Sequence, residues 1–446
     1  MRNSRTIAIR YSILSLELVL GLVVLSCSSD DDVVMTTTMP MTTTVTAPTD
    51  TKTMPCENGM AGEYPCNGYD LQYHLSIEEL GFSDAEGNDS WGWVDATTAK
   101  EYAIVGTELG TAFVDISNPT APIVLGTLAT NTVKSPWRDI KVYQNHAYIV
   151  SDKPSNTTSN AHGMQVFDLT KLRAVTNPPE QFTADFVYTG ITSAHNIVIN
   201  KDSGYAYVTG TPRDDTYLGG ATFIALQAPA TPVAAGGYSV DGYSHDAQVV
   251  TYTGPDTDYT GKEIYIGSNE NEVVIVDVTD KSNPIHISKL SYVNLGYTHQ
   301  GWFTEDQKYF LLGDEIDELS FGNKTRTLVF DFTDLDSPIL HTEYLGPTTA
   351  VDHNGYVHGT TFYQASYSAG VRMIDISDIE NKNLSEIGFF DTYPENNNAN
   401  FNGAWNVYPY LPSGNIIISD IDRGLFIVKK SAHNLSVKKT TASPEL

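Results

Sequence analysis

Apolar and polar positions alternate through two short runs, joined by a turn, at seven places along the chain. The second run of most copies closes on Asp, Ile, Val or Leu, and Ser or Thr. The clearest copy is "IYIGSNENEVVIVDVTDKSNP" (264–284). Others are "YAIVGTELGTAFVDISNPTAP" (102–122), "AYIVSD…HGMQVFDLT" (147–170) and "AYVTG…GATFIALQAPATP" (206–232). The remaining three are "YFLLGD…RTLVFDFTDLDSP" (309–338), "FYQASYSAGVRMIDISDI" (362–379) and "IIISDIDRGLFIVKK" (416–430). Each predicts two antiparallel strands, with Gly or Asn in the turns where positive φ is favoured. Asp and Ser past the second strand can bond nearby backbone, and Pro stops the ladder. Asp115, Asp168, Asp277, Asp331 and Asp375 hold this place and read as turn caps rather than catalysts.

A second element precedes each copy: "WGWVD", "PWRDIKV", "AHNIVIN", "SHDAQVV", "THQGWF", "DHNGYVH" and "AWNVYPY". Aligning the last polar residue picks out Asp95, Asp139, Asn196, Asp246, Gln300, Asn354 and Asn406, with spacings of 44, 57, 50, 54, 54 and 52. About fifty residues and four strands per unit is the signature of a β-propeller blade. The fold predicted is all-β, a seven-bladed propeller. The early units end in an outer strand such as "PIVLGTL" (122–128), but the seventh stops after "GLFIVKK". "YDLQYHLSI" (69–77) has the alternation to supply the missing strand and close the ring, which removes sheet edges.

The repeat "EVVIVDVTDKSNP" resembles the LVIVD repeat. The run from "PCNGYDL" through "WRDIKVY", "HDAQVVTYTGPDTDYTGKEI" and "YTHQGW" to "ANFNGAW" is similar to the choice-of-anchor B family of exported bacterial proteins. The resemblance spans about residues 56–430. It implies a protein held at the cell surface, by a lipoprotein N-terminus in some members and a C-terminal sorting domain in others. It supplies no active-site residues.

Composition agrees with a β-rich chain: 34 Gly, 21 Pro and 26 Tyr in 446 residues, and a hydrophobic fraction of 41%. The net charge of −28 argues against a nucleic-acid partner, because phosphate binding needs clustered Lys and Arg. Residues 1–26 read as a signal peptide, with Arg2, Arg5 and Arg10 before the apolar "YSILSLELVLGLVVLS". "VVLSC" resembles a lipobox, so Cys27 is expected to carry lipid. The following "SSDDD" resembles a surface-export signal, and the localisation expected is the outer membrane, exposed at the cell surface. Residues 27–55 include a Thr/Pro/Met-rich tether. Cys56 and Cys66 suggest a disulfide in a neck over 56–68. The propeller then occupies 69–430 and a polar tail 431–446.

In a propeller the innermost strand of each blade lines the central channel, so the recurring motif is expected at one mouth. That would converge His195, His245, His299 and His353 with Asp95, Asp139, Asp246, Asn196, Gln300, Asn354 and Asn406. Trp91, Trp93, Trp137, Trp302 and Trp405 lie in or beside the same motifs. Three readings compete. The polar groups can bond between blades. The mouth can be a ligand pocket with Trp walls, for an extracellular protein, glycan or other polymer. The four histidines can hold a transition metal, and His245 beside Asp246 can serve as a base. The first two readings make the chain a non-catalytic binding or structural component of the surface. The third makes it a metal-assisted hydrolase or oxidoreductase. Two acidic loops, "DTDYTGKE" (256–263) and "GDEIDEL" (313–319), suggest Ca²⁺ but read first as a hairpin turn and a solvated loop. GxSxG, HExxH and P-loop signatures are absent from the sequence.

Overall fold

The computed structural model describes residues 53–152 and 161–432. The signal peptide, Cys27, nearly all of the tether and most of the polar tail lie outside the described residues.

Seven sheets, each built on four antiparallel strands, form the seven blades of a propeller. The innermost strands are Gly87–Val94, Arg138–Tyr143, Asn196–Asn200, Asp246–Thr251, Thr298–Phe303, Gly355–His358 and Ala404–Tyr408. The apolar repeat forms the second and third strands of each blade. In blade four these are Glu263–Ser268 and Val273–Asp277, and every residue of both is buried. Such strands read as continuous apolar runs because both faces are covered by neighbouring blades. Val198, Tyr207 and Phe223 of blade three pack on Val249, Tyr265 and Val276 of blade four. Blades four and five meet through Ile266, Ile275, Phe310 and Leu328.

The turn aspartates behave as their position predicts. Asp115, Asp168, Asp277, Asp331 and Asp375 each accept a hydrogen bond from the backbone N–H two residues on, at 2.8–3.0 Å. A register shift recurs where the third strand meets the outer strand, at Phe113/Val114, Phe223/Ile224, Ile275/Val276, Val329/Phe330 and Met373/Ile374. A bulge repeated at one place bends the outer strands of these five blades alike.

The N-terminal segment closes the ring. Tyr69–Leu75 pairs antiparallel with Gly424–Lys430 as the outer strand of blade seven. Gly424, at φ +94°, makes the junction possible, because a Cβ there would meet the Leu75 carbonyl at 2.5 Å. The neck does not stand apart from the blades. Cys56 and Cys66 are joined by a disulfide, and the hairpin Met60–Ala61 and Tyr64–Asn67 pairs with the outer strand of blade six. Blade one also gains a strand, Glu180–Phe182, which runs parallel to Ile123–Ala129.

Candidate functional site

The starts of the innermost strands gather at one mouth of the channel. There His195, His245, His299 and His353, from blades three to six, form an arc with successive ring centroids 4.2, 4.5 and 4.4 Å apart. Trp405 of blade seven continues it 4.6 Å from His353, and Trp137 of blade two flanks His195 at 6.2 Å. Each imidazole is held by its Nδ1 side or by packing. The Nδ1 atoms of His245 and His353 lie 3.3 and 2.6 Å from the carbonyl oxygens of His299 and Trp405, the arc residues of the next blades. His195 Nδ1 lies 2.9 Å from Asp152 Oδ2. A ring anchored through Nδ1–H presents its Nε2 lone pair outward.

Glu315 stands in front of the arc. Its Oε2 is 3.6 Å from His299 Nε2 and its Oε1 is 3.7 Å from His353 Nε2. The Tyr367 hydroxyl donates to Oε1 at 2.7 Å and steadies the carboxylate. One ligating atom from each of His299, His353 and Glu315 lies within 4.8 Å of the others. Above them opens a cavity of about 270 Å³, walled by Trp137, Tyr243, Tyr297 and Trp405.

Burial drives His299 and His353 down to about 3, helped by the charge of His195 on the first and of His299 on the second. His245 is pushed well below its usual value by burial and by the rings on either side. Burial opposes charge on His195 as well, but the Asp152 hydrogen bond and carboxylate outweigh it and the net shift is upward. The arc therefore presents neutral imidazoles at its centre, the form a metal ion takes, beside one imidazole biased towards its charged form.

The structure divides the residues singled out from the sequence. Trp137, His195, His245, His299, His353 and Trp405 line the mouth. Asp139, Asn196, Asp246 and Asn354 lie just beneath, around a void of about 20 Å³ that the histidines also border. Gln300 and Asn406 instead join blades. Gln300 exchanges two bonds with the Gly355 backbone, and Asn406 Nδ2 donates to the Ser90 carbonyl at 2.6 Å. Asp139 also serves the ring, accepting from the Ile197 N–H at 2.7 Å.

Trp93 and Asp95 are not at this mouth. Trp93 stacks on Tyr102, and Asp95 follows the far end of its strand, where Arg173 grips both its oxygens. The blade-one residue beneath the mouth is Asp89, which accepts from the Ile140 N–H. Trp91 and Trp302 line a larger cavity of about 610 Å³ at the opposite mouth, with Tyr408 and Tyr410. That volume is greater, but the ligating groups converge on the smaller one.

Two stretches of the chain, residues 100–130 and 260–292, match the LVIVD repeat. The chain carries LVIVD repeats. No curated protein matches it in sequence. Among solved structures, a chain titled hydrazine synthase, from Kuenenia stuttgartiensis, is 14% identical at a TM-score of 0.52, covering 78% of this chain and 97% of that one. A functionally unknown protein from Desulfotomaculum acetoxidans is 11% identical at a TM-score of 0.46, covering 70% and 87%. At such identity the first likeness speaks for the propeller fold alone.

Sequence reading missed Asp89, Asp152, Tyr243, Tyr297 and Tyr367 in this LVIVD-repeat propeller, and it singled out Glu315 only as part of the acidic loop 313–319, not as a residue of the mouth. Asp89 had a signal: it stands fifty residues before Asp139, nearer the common spacing than the 44 of Asp95. Asp152 and Glu315 each follow the end of a second strand, His146–Ser151 and Tyr309–Asp314. That shared position was a second, weaker signal.

Proposed function

We propose that this protein is a non-catalytic binding propeller, exported and held at the cell surface through Cys27, whose histidine mouth takes its ligand through a transition-metal ion of the zinc class. The observation that carries the reading is the set His299, His353 and Glu315. Metal–ligand bonds of about 2.0–2.2 Å in a tetrahedron place ligand atoms about 3.4 Å apart. Each histidine approaches that value with a different oxygen of Glu315, 3.6 Å to Oε2 and 3.7 Å to Oε1, and one atom from each of the three residues lies within 4.8 Å of the others, so a turn of the carboxylate would close the set on one ion. Three protein ligands leave a coordination position facing the cavity. A volume of about 270 Å³ admits one sugar unit or one side chain. The aromatic walls suit a flat apolar face, so the ligand class is an extracellular glycan or protein chain offering one oxygen or nitrogen donor. A second reading, metal-assisted hydrolysis, is favoured by one observation: the Asp152–His195 pair across the same cavity can carry a proton.

Elemental analysis of the purified full chain tests the first reading. The expected result is one zinc-class ion per chain, lost in His299→Ala and His353→Ala variants that keep the circular dichroism of the parent. A metal-free chain that also fails to take up Zn²⁺ overturns it. Turnover of glycan, peptide or ester substrates by the metal-loaded chain, lost in Asp152→Asn, would select the hydrolytic reading. For the anchor, Cys27→Ser is expected to release the protein from the membrane fraction.

A further inference from the structure

The loop "GDEIDEL" of blade five, read from sequence as solvated, turns inward. Asp317 and Glu318 begin the short helix Asp317–Phe321. They meet Asp352, the residue before His353, inside the protein. Asp317 and Asp352 are 0% exposed and Glu318 is 3% exposed. One oxygen from each lies within 4.8 Å of the other two.

These carboxyls are short of donors. Arg326 Nε donates to Asp317 Oδ2 at 2.5 Å, and Gln364 Nε2 reaches Asp352 Oδ2 only at 3.5 Å. Among the described residues, no donor reaches Asp317 Oδ1, either oxygen of Glu318, or Asp352 Oδ1. Arg326 is already shared, since its other nitrogens donate to the carbonyls of Val293 and Asn294. Adjacent Asp314 adds a further carboxylate but is satisfied by the N–H groups of Gly296, Tyr297 and Ile316 and by the Tyr292 hydroxyl. Buried carboxylates in this state need a cation or protons.

Three carboxylate oxygens within 4.8 Å of one another can share one cation, and an all-oxygen, all-anionic set suits a hard divalent ion such as Ca²⁺, which accepts irregular coordination more readily than Mg²⁺. The strand beside the cluster is cut away to admit it: a Cβ on Gly313 would fall 2.0 Å from Asp352 Oδ2.

We propose that Asp317, Glu318 and Asp352 hold a hard divalent cation of the calcium class, buried behind the mouth. The ion ties the loop that carries Glu315 to the strand start that carries His353. It shares no ligand with the transition-metal site, so the two stand or fall separately.

The full chain, purified in detergent and stripped with EGTA, is titrated with CaCl₂ by calorimetry and by thermal unfolding. The expected result is one Ca²⁺ per chain and a midpoint that rises with calcium. Glu318→Gln and Asp352→Asn each weaken binding at least 100-fold, and His299→Ala leaves it unchanged. A parent chain showing neither calcium heat nor a midpoint shift overturns the proposal whether or not the variants fold. Binding unchanged in both carboxylate variants overturns it too. A Glu318→Gln chain more stable than its parent in EGTA, with the parent insensitive to calcium, would assign the cluster to protonated carboxyls instead.

Discussion

Replacing Gln300 with Leu separates a joint between blades from a ligand-binding residue. Gln300 is 3% exposed and lies between blades five and six. Its Nε2 donates to the Gly355 carbonyl at 3.1 Å, and its Oε1 accepts from the Gly355 N–H at 2.9 Å. Leu nearly conserves the volume, so the cavity term is small. The substitution strands a buried backbone N–H and a buried carbonyl. Each orphaned group costs about 1–3 kcal/mol, giving about 4 kcal/mol for the pair. With a urea dependence of about 3 kcal/mol per molar, the unfolding midpoint should fall by roughly 1.3 M. The assay is urea unfolding followed by tryptophan fluorescence, with metal uptake at the mouth measured on the same samples below the transition. Uptake is expected to be unchanged. A midpoint shift under about 0.2 M together with lost uptake would refute the reasoning and return Gln300 to the mouth.

Other outcomes follow from the same structure. Leu71→Ala, on the buried face of the closing strand opposite Val428, should cost about 2–5 kcal/mol in urea unfolding; a neutral result would mean that the ring does not depend on that strand. Burial raises Asp420 from 3.8 to about 7, so its folded state favours the neutral acid. That contribution is fully present below pH 3.8, shrinks as pH rises and is gone above about 7. Asp420→Asn, which keeps an acceptor for the Asp422 and Arg423 N–H groups, should therefore gain on its parent by about 3 kcal/mol between pH 4.5 and 8. A pH-independent difference in chemical unfolding would contradict it. Reducing Cys56–Cys66, which are 10 residues apart, should release about 3 kcal/mol of chain entropy. The neck hairpin meets blade six over a short edge, through the pairs Cys66–Phe390 and Asn67–Phe389, the Asp391 N–H bond to the Pro65 carbonyl and the packing of Tyr64 on Phe390. Hydrogen exchange over 60–67 should thus accelerate roughly 100-fold while the inner strands keep their protection; loss of protection throughout the propeller would show the neck to be part of the global fold.

The period of about fifty residues, the apolar double strand and the Asp at its end were enough to establish the blade, the number of blades and the strand that closes the ring. These are local patterns repeated along one chain, and a strand buried on both faces has little choice of residue. The histidine arc was legible for the same reason, because it falls once per period at a strand start. Blade one misled because "WGWVD" imitates the motif six residues late, so Asp95 stood in for Asp89 and Trp93 for a mouth residue it is not. Register within a strand is decided by pairing, and Ser90 opposite Val105 settles it only in three dimensions.

Chemistry between blades was not legible. Glu315 reaches His353, Asp152 reaches His195, and Asp352 meets Glu318 because the ring brings a loop of one blade against the strand start of the next, while Glu315 reaches His299 within its own blade. The acidic loop of blade five looked solvated because its composition is that of a surface. Only the curvature of the ring, which folds that loop under the mouth, decides that its carboxylates are buried and short of partners.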